Sequence, residues 1–534
     1  MAERMARHTP LLEPGRNCWR IERATRATVL VDADNYFTHA RDAMLKAKKQ
    51  ILLIGWDFDA RIRFKTDPAS EGPEKVGEFI SWLVRRTPGL QVHILRWDTG
   101  AIKTLFHGRT LIRIAKWIRD PQVHMRLDGH HPVAGSHHQK VVVIDDDVAF
   151  CGGIDMTVDR WDTREHRDDD PRRIEPDGTP YKPWHDVTTA LEGPVAAALG
   201  DMCRQRWAIS GGGELPAPTD TGGCWPTGLD ADFTDVEVAV ARTIPEMANQ
   251  EPVHEIETLY LDLIARAERF LYAESQYFAS RKVAEAIARR LDEPDGPEIV
   301  IVNPTTAEGW LEPVAMDSAR ARLFKALKER DRHDRLRLYH PFTAGGTAIY
   351  VHAKVTVIDD QLLRVGSSNF NNRSLRLDTE CDVTIDATRS ANADECRTIA
   401  GIRNSLIAEH LGVECEDVES TLARTGSLIA TIEELRGEGR ALHPYEIPDL
   451  DAVTEWLADN KILDPEGPGE MFESLSERTP LLKKLKKHRP HLHRADNSLS
   501  PVVTAVAVGG TVAGGTLLGL MLWQAWKRRD DTPR

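Results

Sequence analysis

Residues 136–150, SHHQKVVVIDDDVAF, return in altered form at residues 351–365, VHAKVTVIDDQLLRV. Aligning His138 with His352 aligns Lys140 with Lys354, the apolar runs VVVI and VTVI with each other, and Asp145 with Asp359. CGGID (151–155) then falls where VGSSN (365–369) falls, so Asp155 and Asn369 occupy equivalent places. A His-x-Lys-x4-Asp pattern arises once by chance. Two copies, each followed at the same offset by a Gly-rich turn, mark an internal duplication, and a duplication constrains the fold more than any local propensity does.

The flanks repeat as well. Residues 35–59 and 255–278 each read as an amphipathic helix followed by a buried strand. Residues 75–97 and 282–304 supply a further helix and strand to each half, before the histidine-bearing strand. Strands alternating with helices predict an α/β fold with a central sheet in each half. The expected organisation is a first half over 28–210, a Gly/Pro/Asp-rich linker over 211–232 and a second half over 233–412. A small helical appendage over 413–480 follows.

On a strand, residues two apart share a face, so His138 and Lys140 point the same way, as do His352 and Lys354. Asp145 and Asp359 complete the motifs and stand with these four as the candidate catalytic set. Their odd spacing from the histidines makes them turn or packing anchors rather than reacting groups. Two imidazoles and two ammonium groups, brought together by pseudo-twofold packing of the halves, suit substitution at phosphorus. A neutral histidine attacks and forms a phosphohistidine. A protonated one gives its proton to the leaving oxygen. The lysines stabilise the charge that grows on the non-bridging oxygens, so the reaction requires no metal or other cofactor. Asn369 offers a phosphate-binding amide and Ser367 a hydroxyl. Asp186 in PWHD and Glu380 in DTECD are the candidate carboxylates behind the rings, with their assignment to one histidine or the other left open. GHHPVAGSHH (129–138) matches no standard zinc spacing, and RDDDPRR (167–173) reads as a solvated loop.

With HHQKVVVID, GGIDMTVDRWD, PWHD, ESQYF, HAKVTVID and GSSNFNNRS in hand, the chain resembles the phospholipase D superfamily over roughly residues 28–412. GWDFD, RWD and PWHD are more similar to its phosphatidylcholine-type phospholipases than to its short nucleases. The resemblance implies two sandwich halves with the active site at their interface and a metal-independent ping-pong mechanism. It also implies His138 as the nucleophile and His352 as general acid/base. The activity it implies is headgroup release from a glycerophospholipid, giving phosphatidic acid or a phosphatidyl-alcohol. Cardiolipin synthesis from phosphatidylglycerol is the near alternative. A nuclease and a non-catalytic membrane scaffold are the distant ones.

The formal net charge of −14 argues against a nucleic-acid partner. Seven cysteines, odd in number, widely spaced and without C-x-x-C, fit a reducing compartment. Residues 501–526 carry no charged side chain and end in Trp523 and Trp526, so they predict one transmembrane helix. The basic juxtamembrane segment 481–500 is richer in positive charge than the tail beyond residue 526. It therefore predicts a catalytic body on the cytoplasmic side of the cell membrane. The pairs Gly510/Gly514 and Gly515/Gly519 offer a route to self-association through that helix.

Overall fold

The computed structural model describes residues 10–64, 71–98, 117, 120–132, 135–247, 250–307 and 316–448. The first half contributes strands β1 (Arg20–Val31), β2 (Gln50–Gly55), β3 (Gln91–Trp97), β4 (Val123–Asp128), β5 (Val141–Ile144), β6 (Val148–Gly152), β7 (Trp184–His185) and β8 (Val187–Glu192). The second contributes β9 (Phe233–Ile244), β10 (Val253–His254), β11 (Phe270–Glu274), β12 (Glu298–Val302), β13 (Leu336–Phe342) and β14 (Tyr350–Val351). It continues with β15 (Val355–Ile358), β16 (Leu362–Gly366) and β17 (Glu380–Asp386), and β18 (Ala441–Pro444) follows. The helices are α1 (Ala33–Leu45), α2 (Val76–Arg86), α3 (Pro194–Trp207), α4 (Glu255–Arg266) and α5 (Arg281–Asp292). After them come α6 (Ser318–Arg330), α7 (Cys396–Leu411), α8 (Cys415–Thr425) and α9 (Leu428–Leu435).

The duplication is visible in the strand order. The first half runs β4-β3-β2-β5-β6-β8-β1 and the second β13-β12-β11-β15-β16-β17-β9. In each half three strands are parallel and the rest antiparallel, with the change falling at the motif strand, β5 or β15. β1 and β9 pair antiparallel from Arg20↔Val240 to Ala27↔Phe233, so one sheet runs through both halves. The first half was expected to begin at 28. It begins earlier, because β1 starts at Arg20, and its charged residues hide a strand that is only half buried at that end.

The β-branched motif strands VVVI and VTVI are buried on both faces, as strands covered by layers on either side must be. One apolar core lies between the halves. It takes Val141, Val143 and Cys151 from one side, Val355, Val357 and Cys381 from the other, and the buried faces of α3 and α7. Outer cores pack α1 and α2 on the first half and α4 and α5 on the second. β6 packs across the central core on β16 and β17, and Cys151 Sγ and Cys381 Sγ lie 3.7 Å apart.

Past residue 412, α8 and α9 bury Val418, Leu428, Ile429 and Ile432 in the central core. β18 pairs with the edge strand β13. The described part of the expected appendage therefore extends the second half rather than standing apart from it. The expected transmembrane helix (501–526) and the basic segment (481–500) lie outside the described residues. Among the described residues no helix is long and apolar enough to cross a membrane.

Candidate active site

Both histidines reach the interface in the same way, by entering it alongside a strand of the opposite half. His138 donates its backbone N–H to Thr379 O at 2.9 Å, just ahead of Glu380. His352 donates its own to His185 O at 2.8 Å, just ahead of Asp186. The second contact extends the parallel pairing of β14 with β7. The two imidazole centroids come to 6.4 Å.

The carboxylates behind the rings are crossed between the halves. His138 Nδ1 lies 3.0 and 3.1 Å from the two oxygens of Glu380. His352 Nδ1 lies 2.6 Å from Asp186 Oδ2. Each histidine is thus oriented by an acid from the other half, and a ring held through Nδ1 presents Nε2 to a substrate. Both acids are fully buried. Glycine is required behind one of them: a Cβ on Gly153 would collide with Asp186 Oδ1.

Lys140 lies 3.2 Å from Asp155 Oδ2 and donates to His138 O at 2.8 Å. Lys354 is fully buried and donates to His352 O. At the place of Asp155 the second half has Asn369, buried, with no hydrogen-bond partner for Oδ1 among the described residues. Ser367, a candidate for touching phosphate, instead donates to Glu380 Oε2 at 2.5 Å and so helps to hold that carboxylate.

Burial pushes both histidines well below their ordinary pKa. Lys140 and Lys354 add to this at His138, and Lys354 and Arg160 at His352. Burial likewise brings Lys354 down to about 7, with Asp186 opposing. It raises Asp186 to about 6 and Glu380 to about 8, with Lys354 and Lys140 respectively opposing. The free site therefore favours neutral imidazoles, the form a nucleophile needs.

Arg160 escaped the sequence reading. Its guanidinium lies 4.1 Å over the ring of Trp184, which stacks on Tyr350 at 4.6 Å and lies 5.3 Å from His352. The available signal was its place in GGIDMTVDRWD, five residues past Asp155. Arg173 and Asp170, read as part of a solvated loop, are buried, Arg173 because it pairs with the buried Asp162. Three of the four histidines of 129–138 have separate partners: His131 has Asp98, His137 has Asp128, and His138 has Glu380.

Asp145 and Asp359 do not join the reacting groups, which corrects their place in the candidate catalytic set. Each sits at the far end of its strand in the left-handed backbone region. Asp145 accepts the backbone N–H groups of Lys48, Lys49 and Gln50 at 2.7–2.8 Å. Asp359 accepts those of Glu268, Arg269 and Phe270 at 2.6–2.7 Å. They tie the motif strand to the turn that opens its antiparallel neighbour, β2 or β11. Asp145→Ala leaves three N–H groups without their acceptor and should cost about 2–4 kcal/mol at roughly 1 kcal/mol each. Denaturant unfolding reads that loss, while turnover per folded molecule stays near that of the parent.

A family model described as "Phospholipase D" matches residues 43–222, and one described as "Cardiolipin synthase, PLD-like domain" matches residues 260–398. "Phospholipase D alpha 1" of Carica papaya is 24% identical over 514 aligned residues, covering 70% of this chain and 63% of that protein. "Phospholipase D alpha 1" of Nicotiana tabacum is 23% identical with the same coverage. This chain therefore spans somewhat less than two thirds of the length of these relatives. The crystal structure of phosphatidylserine synthase from Haemophilus influenzae Rd KW20 matches with a TM-score of 0.51 at 13% identity. That match covers 82% of this chain and 99% of the other, and it is a likeness of fold.

Proposed function

Because the chain belongs to the phospholipase D superfamily, we propose that it is a phosphodiesterase and phosphatidyltransferase acting on glycerophospholipids. The observation that carries this reading is the crossed pair of His–carboxylate couples, His138–Glu380 and His352–Asp186, with Lys140 and Lys354 beside them. In the first step His138 Nε2 attacks phosphorus, the bond from phosphorus to the headgroup oxygen breaks, and that oxygen takes a proton from His352. In the second, water or an alcohol gives its proton to His352 and attacks phosphorus, and the His138–phosphorus bond breaks. His352 must hold a proton when substrate is bound. Burial depresses the imidazole pKa most, and Lys354, Arg160 and Lys140 add to it; the phosphodiester's negative charge offsets those cations and so favours the protonated ring. Arg160, packed on Trp184 beside His352, adds positive charge on the same side.

Transfer to water gives phosphatidic acid, and transfer to a lipid alcohol gives cardiolipin from phosphatidylglycerol. The two family models lean to different members of this pair, and the same two histidines serve both. The uncharged stretch 501–526 supports a tethered enzyme in the cell membrane, and the basic segment 481–500 supports a catalytic body on its cytoplasmic side. The net charge of −14 supports lipid over nucleic acid.

Product analysis tests the reading. Detergent-solubilised protein receives mixed phospholipid vesicles with and without a primary alcohol, beside His138→Asn. Phosphatidic acid that gives way to phosphatidyl-alcohol is the expected result. Cardiolipin formed from phosphatidylglycerol moves the assignment to the synthase. No lipid product beyond that of His138→Asn overturns both.

A further inference from the structure

Behind PWHD, on the side of the strand away from the reacting histidines, lies a second constellation that the phosphorus chemistry does not use. His166 Nε2 lies 3.2 Å from Glu409 Oε1 and 3.5 Å from Asp32 Oδ2. His185 Nδ1 lies 2.8 Å from Glu409 Oε1 and 3.3 Å from Asp32 Oδ1. All four side chains are buried, and one donor atom from each lies within 4.8 Å of the others. Asp32 Oδ2 is buried with no hydrogen-bond partner among the described residues.

The outer nitrogens of both rings are already engaged. His166 Nδ1 faces Asp162 Oδ2 at 3.0 Å, and Asp162 is itself held by Arg173. His185 Nε2 faces Glu274 Oε2 at 2.7 Å, and the other oxygen of Glu274 accepts from Tyr272 and faces His410. Arg164 takes the second oxygen of Glu409. A neutral imidazole that donates outward to a carboxylate turns a lone pair inward. Two lone pairs and two carboxylates then converge on one dry spot, and only a positive charge stabilises that arrangement.

Two candidates supply it: a proton on each inner nitrogen, or one divalent cation. Three of the four inner separations, at 3.2, 3.3 and 3.5 Å, exceed a charge-assisted hydrogen bond of about 2.7–2.9 Å. Taken with one Asp32 oxygen at a time, the 3.2 Å separation and one of the two to Asp32 are close to the edge of roughly 3.3 Å in a tetrahedron of ligands about 2.0–2.1 Å from a metal, and the 2.8 Å separation is shorter than that edge. The outer carboxylate–histidine pairs are the arrangement that orients metal-bound imidazoles. The four carboxylates Asp32, Asp162, Glu274 and Glu409 face two guanidiniums, Arg164 and Arg173, which leaves the charge of one divalent ion to be supplied.

We propose that Asp32, His166, His185 and Glu409 form a structural site for a divalent transition cation, zinc by donor set, that joins the two halves behind the active site. Three ligands come from the first half and Glu409 from α7 of the second. The ion would also steady the catalytic pair next door. Asp186 donates its backbone N–H to Asp32 Oδ1 at 3.1 Å, Asp32 donates its own to Asp186 O at 2.8 Å, and His352 donates to His185 O. The ion has no contact with the phosphorus chemistry, so the site does not depend on which lipid is the substrate.

Metal analysis of the full chain decides the matter. The protein is purified without added metal, and its content is measured by plasma mass spectrometry. It is then stripped with chelator and back-titrated with zinc, with cobalt(II) as a spectroscopic substitute. The expected result is about one tightly held ion per chain and a tetrahedral cobalt spectrum. The thermal midpoint should fall on stripping and return with zinc. His138→Asn/His352→Asn should keep the ion, which separates this site from the catalytic one. His166→Gln/Glu409→Gln should lose it. If the parent protein holds no ion either as purified or after zinc is added, the proposal is overturned and the inner nitrogens carry protons. Retention of the ion by His166→Gln/Glu409→Gln, or its loss from His138→Asn/His352→Asn, overturns it equally.

Discussion

His138→Asn and His352→Asn should each lower turnover by at least about 10³-fold, at the upper end of what a general acid or a covalent nucleophile contributes. They should not fail identically. His138→Asn removes the atom that bonds to phosphorus and should leave no covalent adduct. His352→Asn removes the proton donor and acceptor. With a substrate whose leaving group needs no protonation, such as a nitrophenyl phosphodiester, it should still be attacked by His138 and then stall. Intact-mass analysis after brief exposure should show a phosphatidyl adduct on that variant alone. An adduct on His138→Asn instead would reverse the two roles. The double variant should be no worse than the worse single one, since both act in one sequence of steps.

The second large effect comes from groups that never reach the substrate. Asp186→Asn and Glu380→Gln keep the size of each side chain but replace the carboxyl that holds Nδ1 with an amide, which is free to hold the ring in the wrong tautomer. We expect losses of about 10²–10⁴-fold in kcat, with KM little changed. Because the wiring is crossed, Asp186→Asn disables His352, 166 residues away, and Glu380→Gln disables His138, 242 residues away. With the same activated substrate, Asp186→Asn should therefore recover a burst of adduct formation that Glu380→Gln does not. Equal behaviour of the two variants would show that they act through the fold rather than through their own histidines.

The duplication was legible because it is written at strand period: the same apolar run, the same His-x-Lys, the same Gly turn. It carried the two-half α/β architecture with it. The odd spacing of Asp145 and Asp359 was legible too, and the positive φ at both confirms that they leave the strand face. The crossed partners were not legible. Both acids could be picked out, but the assignment depends on which strand lies beside which histidine, a fact of tertiary pairing. β1 was missed because its charged residues break the apolar pattern. Arg173 was read as solvated because burial of an arginine depends on an acid elsewhere in the chain. The cluster of Asp32, His166, His185 and Glu409 left no trace in the sequence: its members are far apart, and no spacing rule joins them.

The exchange of carboxylates between halves also has a bearing on synthesis. When the first half has emerged from the ribosome, His138 and Lys140 are already made, yet the acid that orients His138 lies at residue 380. Likewise Asp186 has no imidazole to orient until residue 352 appears. A nascent or truncated chain that stops before residue 380 thus lacks the acid behind His138 and holds an incomplete pair of couples. The pair is complete only when β17, the last strand of the duplicated unit, brings Glu380 behind His138.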